Sequence, residues 1–141
     1  GSIAASAQTK NETAADVAKV MLDEMGKLGR EAVSVEDLDK RRLFINNGLQ
    51  RSLETSGGYT TLLATLIMQG VPTEEAARIV ANRNAASPDA VKAAAAQLLD
   101  PAKANVVIVG DSAKFLDKLK ELRGNVTVIK LADLDLGKPI P

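Results

Sequence analysis

The sequence predicts an α/β sandwich: a helix-rich chain with a small, mainly antiparallel sheet and helices packed on it. Three observations predict it. First, Asn105–Val109 is an uncharged, β-branched run that stops at Gly110-Asp111, the pattern of a strand covered on both faces. Second, the chain before that run is a series of apolar stripes at helical spacing, separated by cap and breaker residues. Third, two weaker alternating stretches, Ile3–Thr9 and Asn125–Leu131, offer the remaining strands.

The elements follow in order. Within residues 3–9, Ile3, Ala5 and Ala7 alternate with polar residues. Asn11 is placed to cap a helix whose stripe is Val17, Val20, Met21, Met25 and Leu28, interrupted by Glu24 and ended by Gly29. Ser34 and Asp37 form a capping-box variant ahead of a helix with Leu38, Phe44 or Ile45, Leu49 and Leu53 on one side. Gly48, inside that helix, points to a close helix contact or a kink. Thr55-Ser56-Gly57-Gly58 is a hinge. The helix from Tyr59 to Gln69 is apolar on more than half its girth and is expected to be well buried. Gly70-Val71-Pro72 stops it. Thr73 caps the next helix, with Ala76, Ala77, Ile79 and Val80 inward.

Ser87 and Pro88 start a further helix with Val91, Ala94, Ala95, Leu98 and Leu99 inward, ended by Asp100-Pro101. The strand Asn105–Val109 comes next. Asp111 or Ser112 then caps a short helix with Phe115, Leu116, Leu119 and Leu122 inward, stopped by Gly124. Residues 125–131 are the last strand. The whole chain, 1–141, reads as a single domain, with 132–141 an extended tail.

Composition narrows the function. Of 141 residues 45% are apolar but only 2% aromatic, so Ala, Leu and Val must do the packing. Eighteen basic residues balance eighteen acidic ones, which leaves no electrostatic footprint for nucleic acid. No apolar run reaches the ~20 residues of a membrane span. There is no Cys and no His. The commonest metal ligand and general base is therefore missing. Localisation is not selected by any feature; periplasm and cytoplasm both fit.

Asp133 and Asp135 are the sole carboxylate pair of metal-site type, and they lie in the tail. Ser112 and Lys114 are near in sequence, at a helix start too open for a nucleophile–base dyad. Gly57-Gly58 lacks the pattern of a phosphate loop, and Gly110-Asp111 lacks the further glycines of a dinucleotide turn. Lys40, Arg41, Arg42 and Arg51 read as a solvated basic face. No catalytic, cofactor-binding or metal residue is assigned in this chain.

The order of motifs resembles the pitrilysin/insulinase-like zinc peptidases (family M16), over roughly residues 3 to 131. Ser34-Val35-Glu36-Asp37-Leu38-Asp39-Lys40 is similar to the start of that family's long helix, and Gln50-Arg51-Ser52-Leu53-Glu54-Thr55 to its end. Gln69-Gly70-Val71-Pro72 is similar to its Gly-x-Pro break. Ala86-Ser87-Pro88-Asp89-Ala90-Val91 with Leu98-Leu99-Asp100-Pro101 is similar to its penultimate helix, and Val106–Asp111 to its closing strand. The resemblance implies a truncated C-terminal part of the non-zinc-binding half. In that family two α/β halves close around extended peptides, and a His-x-x-Glu-His half holds zinc. The implied partners are that zinc-binding domain or subunit, an extended peptide, and another copy through exposed sheet edges. Zinc is expected only in the partner. The Arg and Tyr that the inactive half contributes have no match here; Tyr59 lies in a different part of the pattern. The alternatives are a structural core-type subunit of the same fold and an unrelated small α/β binding module using the Gly110-Asp111 corner.

Overall fold

Six α-helices and four short 3₁₀ turns account for the regular structure in the computed structural model, which describes residues 3–133 and 137. The α-helices are α1 (Ala14–Arg30), α2 (Val35–Leu53), α3 (Ser56–Met68), α4 (Ile79–Ala85), α5 (Pro88–Leu98) and α6 (Leu116–Arg123). Among the described residues there is no strand, so the expected α/β sandwich is corrected to an all-helical fold. The chain divides into two compact units, one centred on Gly26–Asp100, the other on Ala4–Met25 with Pro101 onward.

Local signals set most helix boundaries. Ser34 Oγ accepts the Asp37 N–H at 3.0 Å and caps α2. Thr55 Oγ1 accepts the Gly58 N–H at 3.0 Å and caps α3. Ser87 Oγ accepts the Ala90 N–H at 3.1 Å and caps α5, with Pro88 in its first turn. Each supplies an acceptor to an N–H that the helix itself cannot satisfy. The end of α3 is a Schellman motif. Val71 N–H donates to Leu66 O at 2.9 Å and Gly70 N–H to Ile67 O at 3.0 Å, with Gly70 at φ +68°.

The first helix starts differently from expectation. A 3₁₀ turn, Asn11–Thr13, leads into α1, and Asn11 is inside that turn rather than capping it. Likewise Thr73–Arg78 is a 3₁₀ turn, with Pro72 rather than Thr73 in the capping position and no side-chain cap. Gly29 does not end α1. A Cβ there would sit 3.0 Å from the Ala96 Cα, so its role is to let the α5 backbone approach. Gly48 has open space where its Cβ would be, so the helix contact expected of it is absent.

In the unit centred on Gly26–Asp100, Leu66 and Ala95 are buried. Helix α3 is far less covered than its composition suggests, with Ile67 65% and Met68 87% exposed. On α2, Ile45 turns inward and Phe44 does not; Phe44 lies 5.1 Å beneath the Arg41 guanidinium. In the other unit, Ala14, Ala15, Phe115 and Leu119 form the core cluster, with Ile108, Leu122 and Val126 packed against it. The buried stripe of α1 is thus its alanines, while Val20 faces out.

The three expected strands carry no ladder. All of Ile3–Thr9 is exposed. Along 106–109 burial alternates residue by residue, as in a pleated strand, yet no second strand pairs with it. The expected cover on both faces is corrected to cover on one, since Val107 and Val109 are 85% and 95% exposed, and the expected pairing is absent because a β-branched run fixes only its own pleat. Without a sheet there are no sheet edges, and the edge-to-edge contact expected between copies loses that form. In the tail, a 3₁₀ turn covers Leu131–Asp133, and most of 132–141 lies outside the described residues.

Candidate functional site

A cleft between α2 and α4 gathers polar side chains from both helices. Its volume is about 460 Å³. Helical spacing brings Asp39, Arg42, Leu43, Asn46, Asn47 and Gln50 to one face of α2, opposite Val80 and Asn84 of α4. Four of these are carboxamides. Asn46 Nδ2 donates to Asn84 Oδ1 at 3.0 Å across the cleft. The Asn46 Oδ1 atom is buried without a hydrogen-bond partner.

Arg42 fastens this cleft. Its Nε donates to Arg83 O at 3.2 Å and its Nη2 to Ala86 O. It thereby serves carbonyls that the end of α4 leaves open. Nη1 meets Asp39. In return, the Arg83 guanidinium reaches Ile45 O at 3.5 Å. Arg42 was expected on a solvated face, but its side chain is only 19% exposed. The other members of the basic cluster go elsewhere. Lys40 pairs with Glu36 at 2.6 Å, Arg41 stacks over Phe44, and Arg51 is exposed. These residues make no common anion site.

Carboxamides donate and accept at once and stay neutral. A wall of them suits peptide main chain or hydroxyls. The one carboxylate of the cleft, Asp39, is paired with Arg42.

The other sequence candidates are separated or already occupied. Gly57 and Gly58 belong to the first turn of α3, and the Gly58 N–H is taken by Thr55. A Cβ on Gly58 would also collide with Ser52 O at 1.7 Å. At the Gly110-Asp111 corner, Asn11 Oδ1 accepts the Asp111 N–H at 3.2 Å, so this chain's own side chain fills the place a ligand would need. Asp111 uses its carboxylate on the Ala113 N–H at 3.2 Å. Ser112 and Lys114 share a 3₁₀ turn, the first half-buried and the second exposed. Tyr59 is 50% exposed on α3. Asp133 closes a turn, and Asp135 lies outside the described residues. Among the described residues no group of three or more acidic side chains is gathered as for a metal. None of their helices is long and apolar enough to cross a membrane.

Sequence reasoning missed the α2–α4 cleft. Its signal was present as Asn46, Asn47 and Gln50, one to two turns beyond Arg42 on the same helix. The Asn84 that completes it comes from a different element and carries no local signature. No family model, no curated protein and no solved structure matches this chain.

Proposed function

We propose that this chain is the non-catalytic half of a pitrilysin/insulinase-like zinc metallopeptidase, one wall of a chamber for extended peptides. Zinc and the hydrolytic step belong to a partner. The observation that supports the reading is where the family-like motifs fall. Ser34, Thr55, Gly70 and Ser87 each start or stop a helix in the order the resemblance implies. The sequence itself contains no His or Cys with which to build that family's zinc site. The α/β sandwich is no part of the proposal. A carboxamide-lined cleft adds chemistry suited to peptide main chain.

The test is reconstitution. The isolated chain is assayed for zinc by calorimetry and for cleavage of quenched fluorescent peptides. It is then co-expressed with a neighbouring gene that encodes His-x-x-Glu-His. The expected result is a complex that cleaves peptides from components that do not. Stoichiometric zinc or turnover in the isolated chain overturns the proposal. A genome without such a partner gene moves the reading to a structural subunit.

A further inference from the structure

Asn47 is followed by Gly48, and that pair occurs once in the sequence. An asparagine carboxamide carbon is an electrophile within reach of the next residue's backbone nitrogen. Attack by that nitrogen closes a five-membered imide, and a side chain on the next residue hinders it. Gly48 has none, and the space where its Cβ would be is open. Helical backbone is the obstacle, because it holds the Gly48 nitrogen away from Asn47 Cγ. The end of α2 is weakly held. None of the 19 residues of α2 is buried, and residues 50–53 are all exposed. Gly48 lowers the helix preference of the chain at this point. Ser52 Oγ donates to Leu49 O at 2.7 Å, a local bond that competes with the helix ladder. A segment with so few buried contacts opens locally at low free energy. Asn47 is exposed, and its carboxamide has no hydrogen bond among the described residues. Asn46, one position earlier, is tied to Asn84 at 3.0 Å.

We propose that Asn47 is a self-modification site, where the folded chain converts a cleft-lining carboxamide to a carboxylate without an enzyme. When the end of α2 opens, the Gly48 nitrogen gives its proton to water or hydroxide and attacks Asn47 Cγ. The new N–C bond forms, the bond from Cγ to Nδ2 breaks, and the amide nitrogen leaves as ammonia. Water then opens the imide at either carbonyl, giving aspartate or isoaspartate. Each product adds one negative charge to the wall that Asn47 shares with Arg42, Asn46 and Gln50. A group that donated and accepted hydrogen bonds becomes one that only accepts. The modified cleft therefore favours donors, cationic ones above all, over neutral amides. Isoaspartate also lengthens the main chain by one methylene, which breaks the helix ladder beyond position 47. The reaction needs only water, and nothing in it depends on the peptidase reading.

Incubation of the full chain for weeks at neutral pH tests it, with a sample unfolded in guanidinium chloride to set the rate without the helix. Isoelectric focusing follows conversion, since the formal net charge starts at zero and each event moves it by one. Trypsin releases residues 43–51 as one peptide, in which tandem mass spectrometry separates Asn46 from Asn47. An isoaspartyl methyltransferase assay reports the isoaspartate. The expected result is that Asn47 of the folded chain converts ahead of every other asparagine, and faster as pH rises. Gly48→Ala is expected to slow it about fivefold through helix propensity alone, with more from the added methyl group. Far-UV circular dichroism confirms that this variant is folded. A folded chain whose Asn47 stays intact over that time overturns the proposal. So does another asparagine converting first, and so does a rate indifferent to Gly48→Ala.

Discussion

Replacing Arg42 by Ala removes the clamp between α2 and α4. Three bonds go: to Arg83 O, to Ala86 O and to Asp39. The Asp39 partner is 59% exposed, and a screened i,i+3 pair of that kind contributes roughly 0.5 kcal/mol or less. The two carbonyl bonds are different. They come from a charged donor that is mostly covered, and such bonds contribute about 1.5–3 kcal/mol each. The last turn of α4 is exposed and water can take over part of the role, so we halve the sum for the pair and, with the Asp39 contribution, expect a loss of about 1.5–3.5 kcal/mol. Arg42→Lys keeps the charge but cannot fork to two carbonyls, and is expected to lose about half as much. Asp39→Ala is expected to lose roughly 0.5 kcal/mol at most. Urea unfolding followed at 222 nm measures all three, and hydrogen exchange of the α4 amides places the loss. The reasoning is refuted if Asp39→Ala costs as much as Arg42→Ala, because the clamp would then be an ion pair and no cap.

Three other substitutions test separate features. Gly48→Ala fills open space on α2 and is expected to stabilise by about 1 kcal/mol, read as a higher urea midpoint. Gly70→Ala forces a side chain into the left-handed region at φ +68° and is expected to cost about 1–2 kcal/mol by the same measurement. Leu119→Ala empties the cluster around Phe115 and is expected to cost about 2–5 kcal/mol, with faster exchange in α6 and the first turns of α1 as its local signature.

What the sequence made legible was punctuation. Ser34, Ser87, Gly70 and Gly124 announce boundaries because a cap is a contact between residues three or four apart. What it concealed was pairing. The run Val106–Val109 reads as covered on both faces, but cover and partner both come from distant chain, and the described residues cover Val106 and Ile108 alone and supply no partner strand. The same limit applies to α3, where apolar composition promised burial that its neighbours do not provide. At the cleft, α2 alone places Arg42 and Asn46 on one face, while the carbonyls and Asn84 that give them work lie about forty residues on. Asn11 reads locally as a cap and is instead used at Asp111.

Helix α3 has one more consequence. Thr60, Thr61 and Thr65 each donate their hydroxyl to the carbonyl four residues earlier, at 2.8, 2.9 and 2.8 Å. The hydroxyls are thus turned back along the helix, and α3 carries no charged side chain at all. A surface with three threonines on it meets water largely through methyl groups, beside the exposed Ile67 and Met68. Salts excluded from apolar surface act strongly on such a helix. Ammonium sulfate should therefore drive this chain, whose formal net charge is zero, out of solution early, and threonine-to-serine changes at 60, 61 and 65 should delay it.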